Sequence, residues 1–126
     1  GDPVQPIMLA LADAHIKVSN WNLALTTLEA ATSQQSTVLG FEKLGLVYFK
    51  LKRFEDALGA YERALALNPN DIRSLNGRGA SLMTLYIRSN RRQTQMREDA
   101  IESWRRSLRL AGNQPRITDL LQRYGG

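Results

Sequence analysis

VLGFEKLGLVYFKLKRFEDALGAYERALALNPND, Val38 to Asp71, decides how this chain folds. Phe41, Leu44, Tyr48 and Leu51 recur at the three- and four-residue spacing of one helical face. Lys52-Arg53 interrupts the pattern, which resumes at Phe54, Ala57, Leu58, Tyr61, Ala64 and Leu65. Asn68-Pro69-Asn70 then ends the second run, because proline removes a backbone donor and clashes with the preceding turn. Gly45 and Ala57 are small residues on the apolar faces, where two helices can approach closely. The segment predicts a helical hairpin of 34 residues.

Its length, its aromatics, its small residues and its terminal proline resemble the tetratricopeptide repeat (TPR). The resemblance runs through Phe41, Leu44-Gly45, Tyr48, Ala57, Tyr61, Ala64 and Pro69. Two further copies flank it. Upstream, about Gln5 to Thr37, the matching places hold Met8, Leu11-Ala12, His15, Ala24, Leu28 and Ala31, with Trp21 standing where Phe54 stands. Pro6 suits a first helical turn, where its missing donor costs nothing. Downstream, from Ile72, the pattern restarts at Leu75, Gly79 and Leu82 and ends in Ala100, Trp104, Ser107 and Leu108; Arg78 stands where Leu11 and Leu44 stand.

That third copy is nine residues longer, and the extra stretch, YIRSNRRQTQMREDA (86–100), contains neither glycine nor proline. Two lengthened helices are expected rather than a loop. The turn should fall near Arg88–Asn90, with Ser89-Asn90 capping the second helix and Gln93 completing a capping box. Finally, Pro115 opens PRITDLLQRY, whose Ile117, Leu120, Leu121 and Tyr124 form an apolar stripe that Asn113 or Gln114 would cap. A terminal helix of an array must cover a face that no further repeat buries. The alternative is the first helix of a fourth repeat.

The expected fold is all-α, a right-handed α-solenoid of three TPR hairpins plus a C-terminal capping helix. It would form a single domain over 1–126, with repeats at about 5–37, 38–71 and about 72–114 and the cap at 115–124.

Composition narrows the function. With 43% hydrophobic and 23% charged residues, the chain can bury a core and is too apolar to be disordered. The absence of cysteine removes thiolate nucleophiles, disulfides and cysteine-ligated metals, and a single histidine, His15, leaves metal binding without its commonest ligand. His15 takes the place of Tyr48 in the neighbouring copy, so it reads as a packed helix-face residue. Glu55-Asp56 and Glu98-Asp99 are sequence neighbours in early helical turns, where they favour the helix dipole; a glycosidase-like pair would converge from separate segments. No catalytic residue, cofactor site or metal site is expected. No apolar run spans a bilayer and no secretory leader is visible, which favours a cytoplasmic chain without membrane insertion, although Gly1 is no initiator methionine.

The resemblance implies a non-enzymatic protein–protein interaction scaffold or adaptor. In TPR domains the first helices of successive repeats line a concave groove for a partner's peptide or helix. The matching residues here are Leu9, Asp13, Ile16 and Lys17, then Leu39, Glu42, Leu46, Phe49 and Lys50, then Arg73, Asn76, Ala80 and Met83. That set is largely apolar and suits an amphipathic helix or an extended apolar peptide; another copy of the chain is an alternative occupant. TPR domains that hold the acidic tails of heat-shock chaperones use lysine, arginine and asparagine at places that here carry Leu9, Asp13, Lys43, Arg73 and Gly77, which argues against that ligand.

Charge supplies the rival reading. Residues 1–63 hold 6 basic and 7 acidic side chains, whereas 64–126 hold 11 and 5, and all 11 are arginines. Arg88, Arg91 and Arg92 would crown the lengthened hairpin as a second, basic surface for an acidic partner or a nucleic acid. Interleaved acids and the lack of an aromatic platform argue against nucleic acid.

Overall fold

The computed structural model describes residues 4–125, so the ends of the 1–126 span lie outside it. It contains seven helices: α1 (Val4–Lys17), α2 (Trp21–Gln34), α3 (Val38–Lys50), α4 (Phe54–Leu67), α5 (Ile72–Arg88), α6 (Thr94–Leu110) and α7 (Pro115–Tyr124). No strand occurs among the described residues. Each helix packs on the next, and α3 also meets α5, so three antiparallel hairpins stack into a solenoid that α7 closes. None of the helices is long and apolar enough to cross a membrane.

Local chemistry sets the boundaries. The Thr37 hydroxyl accepts from Gly40 N at 3.1 Å and starts α3, and the Asp71 carboxylate accepts from Ser74 N at 3.2 Å and starts α5. The first two hairpin turns each place one residue in the left-handed region, Ser19 at φ 58° and Lys52 at φ 62°. The core falls into two clusters. The first gathers Leu25, Leu28, Phe41, Leu44 and Val47; the second gathers Leu82, Met83, Tyr86, Ile101, Trp104 and Ile117. Trp104 is only 1% exposed. It fits because Gly79 has no side chain: a Cβ there would lie 2.2 Å from the indole nitrogen.

Arg78, standing in a place that its two sister copies give to leucine, is accommodated by polar partners. Its guanidinium donates to the buried Ser103 hydroxyl at 2.7 Å and reaches Glu62 at 3.4 Å. A hydrogen-bonded arginine therefore replaces an apolar contact between α5 and its neighbours.

The third hairpin is longer throughout. Helices α5 and α6 have 17 residues each, against 13 and 14 in α3 and α4. At ~1.5 Å per residue, the four extra residues of α5 carry the tip about 6 Å further out. The turn spans Ser89–Gln93, later than the sequence suggests, and the capping box does not form. Ser89 Oγ instead donates to Tyr86 O at 2.6 Å, and Gln93 occupies the N-cap of α6 without a side-chain bond. Asn90 and Arg91 both take left-handed φ values, 59° and 61°, so reversing the chain consumes residues that would otherwise extend α6.

Helix α7 is held by two side chains. Gln114 sits at its N-cap but serves its neighbours. Its Nε2 donates to Ser107 O and Ala111 O at the end of α6, and its Oε1 accepts from Asn76 Nδ2 at 2.8 Å. At the other end Arg97 donates to Tyr124 O at 2.6 Å, a cation on the last carbonyls of α7. Ile117 is buried between them in the second cluster.

Candidate peptide-binding groove

A concave feature to which all three hairpins and α7 contribute lies along the first helices of the repeats. It is a cavity of about 420 Å³ lined by Asp13 and Ile16 of α1, Glu42, Lys43, Leu46, Phe49 and Lys50 of α3, Tyr61 of α4, Arg73, Asn76, Gly77 and Ala80 of α5, and Arg116, Ile117 and Leu120 of α7. Its floor is the Tyr61 ring, wedged between α3 and α5. A Cβ on Gly45 would approach that ring to 2.7 Å and one on Gly77 to 2.2 Å, so both glycines are needed for the tyrosine to lie flat there. Burial, followed by the nearby Glu42 charge, raises the Tyr61 hydroxyl's pKa and keeps it neutral.

Two ion pairs cross the repeats at the groove. Lys43 meets Asp13 at 2.7 Å, and Arg73 meets Glu42 at 3.4 Å. The Glu42 side chain is only 12% exposed whereas Arg73 is mostly in solvent. Burial pushes the Glu42 carboxyl up to about 7, helped by a hydrogen bond to the Asp71 carboxylate and by its charge; Arg73 opposes the shift. Asn76, having given its amide to Gln114, leaves Oδ1 without a partner at the base of the groove. The same cavity is also lined by the apolar Ile16, Leu46, Phe49, Ile117 and Leu120. Phe49 is steadied by an edge-on contact with Phe54, ring centres 5.0 Å apart.

Of the residues expected to line the groove, Asp13, Ile16, Glu42, Leu46, Phe49, Lys50, Arg73, Asn76 and Ala80 surround this one cavity. Leu9 and Met83, expected to offer apolar surface, are buried instead. Leu9 belongs to the first core cluster, and Met83 is packed in the second, which α7 joins through Ile117. Leu39 borders an adjoining hollow near the start of α1, with Gln5, Pro6, Leu9 and Ala10, which shares Asp13 and Lys43 with the groove; Lys17 is exposed and lines neither. The α7 wall, Arg116, Ile117 and Leu120, was missed because a capping helix read from its own stripe offers no clue to which neighbour it overhangs. The Tyr61 floor was missed because its helix lies behind the first helices; the small residues Gly45 and Gly77 opposite it were the available signal.

At the lengthened hairpin the three arginines part ways. Arg91 and Arg92 are exposed in the turn. Arg88 folds back, with its guanidinium 5.3 Å from the centre of the Phe54 ring, and so does not crown the tip. Four further arginines have partners within the chain: Arg78 pairs with Glu62 and Arg109 with Glu102, while Arg97 donates to Tyr124 O and Arg106 to Asn70 Oδ1. No group of three or more His, Cys, Asp or Glu able to hold a metal occurs among the described residues.

Comparison with known proteins agrees with this architecture. Residues 41–71 match the family model of the tetratricopeptide repeat. No curated protein sequence matches the chain. Among solved structures, the first TPR of Spaghetti (RPAP3), bound to the HSP90 peptide SRMEEVD, superposes with a TM-score of 0.86 at 20% identity, covering 96% of this chain and 90% of that one. The Arabidopsis OM64 TPR domain gives 0.86 at 16% identity, covering 96% and 93%. The Yersinia enterocolitica type III secretion chaperone SycD, in complex with a peptide of the translocator YopD, gives 0.76 at 14% identity, covering 99% and 89%. Residues 41–71 are thus a tetratricopeptide repeat, and the chain around them has the fold of TPR domains.

Proposed function

We propose that the chain is a single TPR domain of three repeats, at about 5–37, 38–71 and 72–114, acting as a non-enzymatic interaction module that binds an apolar peptide or helix of a partner protein. The supporting observation is the roughly 420 Å³ groove, which gathers Ile16, Leu46, Phe49, Ile117 and Leu120 from three helices together with charged side chains. Ile16, Leu46, Phe49, Ile117 and Leu120 would receive the ligand's apolar side chains, and Lys50 and Arg116 at the rim would orient it. Peptide binding by the structurally similar RPAP3 and SycD domains supports the mode of recognition. The acidic tail bound by RPAP3 is not the ligand class favoured here. Asp13 pairs with Lys43, and the Asp13 and Glu42 carboxyls beside Lys43 and Arg73 put acidic groups where an acidic tail would have to bind. Nucleic acid fares worse, since Glu98, Asp99 and Glu102 are interleaved with the arginines of the third hairpin and no aromatic platform accompanies them.

The test is selection of peptides from a random display library, followed by fluorescence titration of the enriched sequences. Apolar, helix-compatible peptides should emerge. Leu46→Arg, which places a charge at the exposed middle of the groove, should weaken them at least about tenfold, equivalent to about 1.4 kcal/mol, with an unchanged melting curve. Undiminished binding to that variant, or no enrichment at all, would refute the proposal.

A further inference from the structure

We propose that the hollow between α4, α5 and α6, on the far side of α5 from the groove, binds a phosphate group through Arg78, Arg106 and Ser103. The hollow has a volume of about 220 Å³. At 100° per residue, Leu75 and Arg78 leave α5 about half a turn from Arg73, Asn76, Gly77 and Ala80, so the two cavities are separate. The repeat shows how this one arises. One repeat earlier, Phe41 and Leu44 take the places of Leu75 and Arg78, and Ala60 takes that of Ser103. There the Phe41 ring fills the corner, and the guanidinium of Arg63, in the place of Arg106, lies 5.7 Å from its centre. Leu75 is smaller than the ring it replaces, and the neighbouring changes bring in a guanidinium and a hydroxyl. A corner that is apolar in one repeat is thus lined by two arginines and a serine in the next.

The charge in this hollow is under-compensated. The Arg78 side chain is only 24% exposed, yet its one carboxylate among the described residues, Glu62, is itself half in solvent and meets Nε at 3.4 Å. A guanidinium withdrawn from water is costly unless it is closely paired. Nη1 donates to Ser103 Oγ at 2.7 Å, and Nη2 has no acceptor among the described residues. Ser103, 2% exposed, takes that bond and has no acceptor among them for its own proton. Arg106 commits only Nη2, to Asn70 Oδ1 at 3.0 Å. The Glu102 carboxylate also borders the hollow but pairs with Arg109 at 3.2 Å. Uncommitted donors from α5 and α6 therefore share one space, which suits a phosphate with several acceptor oxygens better than a carboxylate with two. Leu65, Pro69 and Leu75 add an apolar wall that would cover the carbon part of a small phosphate ester. The ester and the free ion present the same group to the arginines.

The test is an NMR titration of the whole, isotope-labelled chain with phenyl phosphate, inorganic phosphate and benzoate at constant ionic strength. Phenyl phosphate should saturate with a Kd on the order of 1 mM, shifting residues 75–78 and 102–106 and leaving α3 unchanged. Arg78→Leu restores the residue of the sister repeats, and Arg106→Gln acts at a partly exposed position, so it keeps the test valid if the first variant disturbs packing. Each should weaken phenyl phosphate at least about tenfold. Arg105→Gln, exposed beside Arg106 but not bordering the hollow, should leave the affinity unchanged. Tighter binding of phenyl phosphate than of inorganic phosphate would identify an ester as the source of the group, and equal affinity the free ion; either upholds the site. The proposal would be overturned by the absence of saturable shifts up to about 20 mM, well above the expected Kd. Benzoate binding as tightly as phenyl phosphate would also overturn it, assigning the hollow to a carboxylate. So would equal losses in Arg105→Gln and Arg106→Gln, the mark of diffuse surface charge.

Discussion

The carboxyl of Glu42 ties the groove to pH, and Glu42→Gln measures how strongly. Its pKa is raised from 4.5 to about 7, first by burial and then by the Asp71 carboxylate. A carboxyl raised on folding binds more protons in the native state than in the unfolded one between those two values. Its contribution to stability is fully present below about pH 4.5 and is lost as pH rises through about 7. The full shift would correspond to about 3.4 kcal/mol at 1.36 kcal/mol per unit, but the group opens onto a solvated groove beside an exposed Arg73, so about 1–2 kcal/mol is the realistic share. Glutamine keeps the size and the donor to Asp71 and cannot ionise. The variant should therefore match the parent near pH 5 and exceed it by about 1–2 kcal/mol at pH 8, or about 3–8 °C in Tm for a domain of this size. Urea unfolding followed by the fluorescence of the two tryptophans, at pH 5, 6, 7 and 8, gives the difference directly. A stability gap that does not change with pH would refute the assignment of a perturbed carboxyl to this site.

Three other substitutions probe the frame that shapes the groove. Trp104→Ala removes a buried indole from the second core cluster and should cost about 3–5 kcal/mol, read as a large fall in the urea midpoint. Gly77→Ala forces a Cβ into the Tyr61 ring and should destabilise by about 1–3 kcal/mol, with a change in tyrosine fluorescence as the ring leaves the floor. Arg97→Ala frees the last carbonyl of α7 and should cost about 1 kcal/mol; hydrogen exchange should speed up in residues 115–124 and stay constant in α1 to α4.

How far the sequence reveals this molecule depends on whether the repeat itself supplies the information. The α3/α4 hairpin was legible because aromatic, small and breaker residues each fall where packing demands them, and every local preference agrees with the final structure. Gly79 and Trp104 extend that logic into the third hairpin. The groove is less legible because repeat positions transfer faithfully only between repeats with the same neighbours. Met83 holds a groove position by sequence, yet it sits next to the capping helix and is drawn into the second cluster with Ile117. Leu9 lies on the first helix and joins its hairpin's core. The turn at Ser89–Gln93 was misread for another reason. Ser89 and Gln93 fit a capping box on paper, but two consecutive left-handed residues, Asn90 and Arg91, leave the serine outside the helix it was meant to cap.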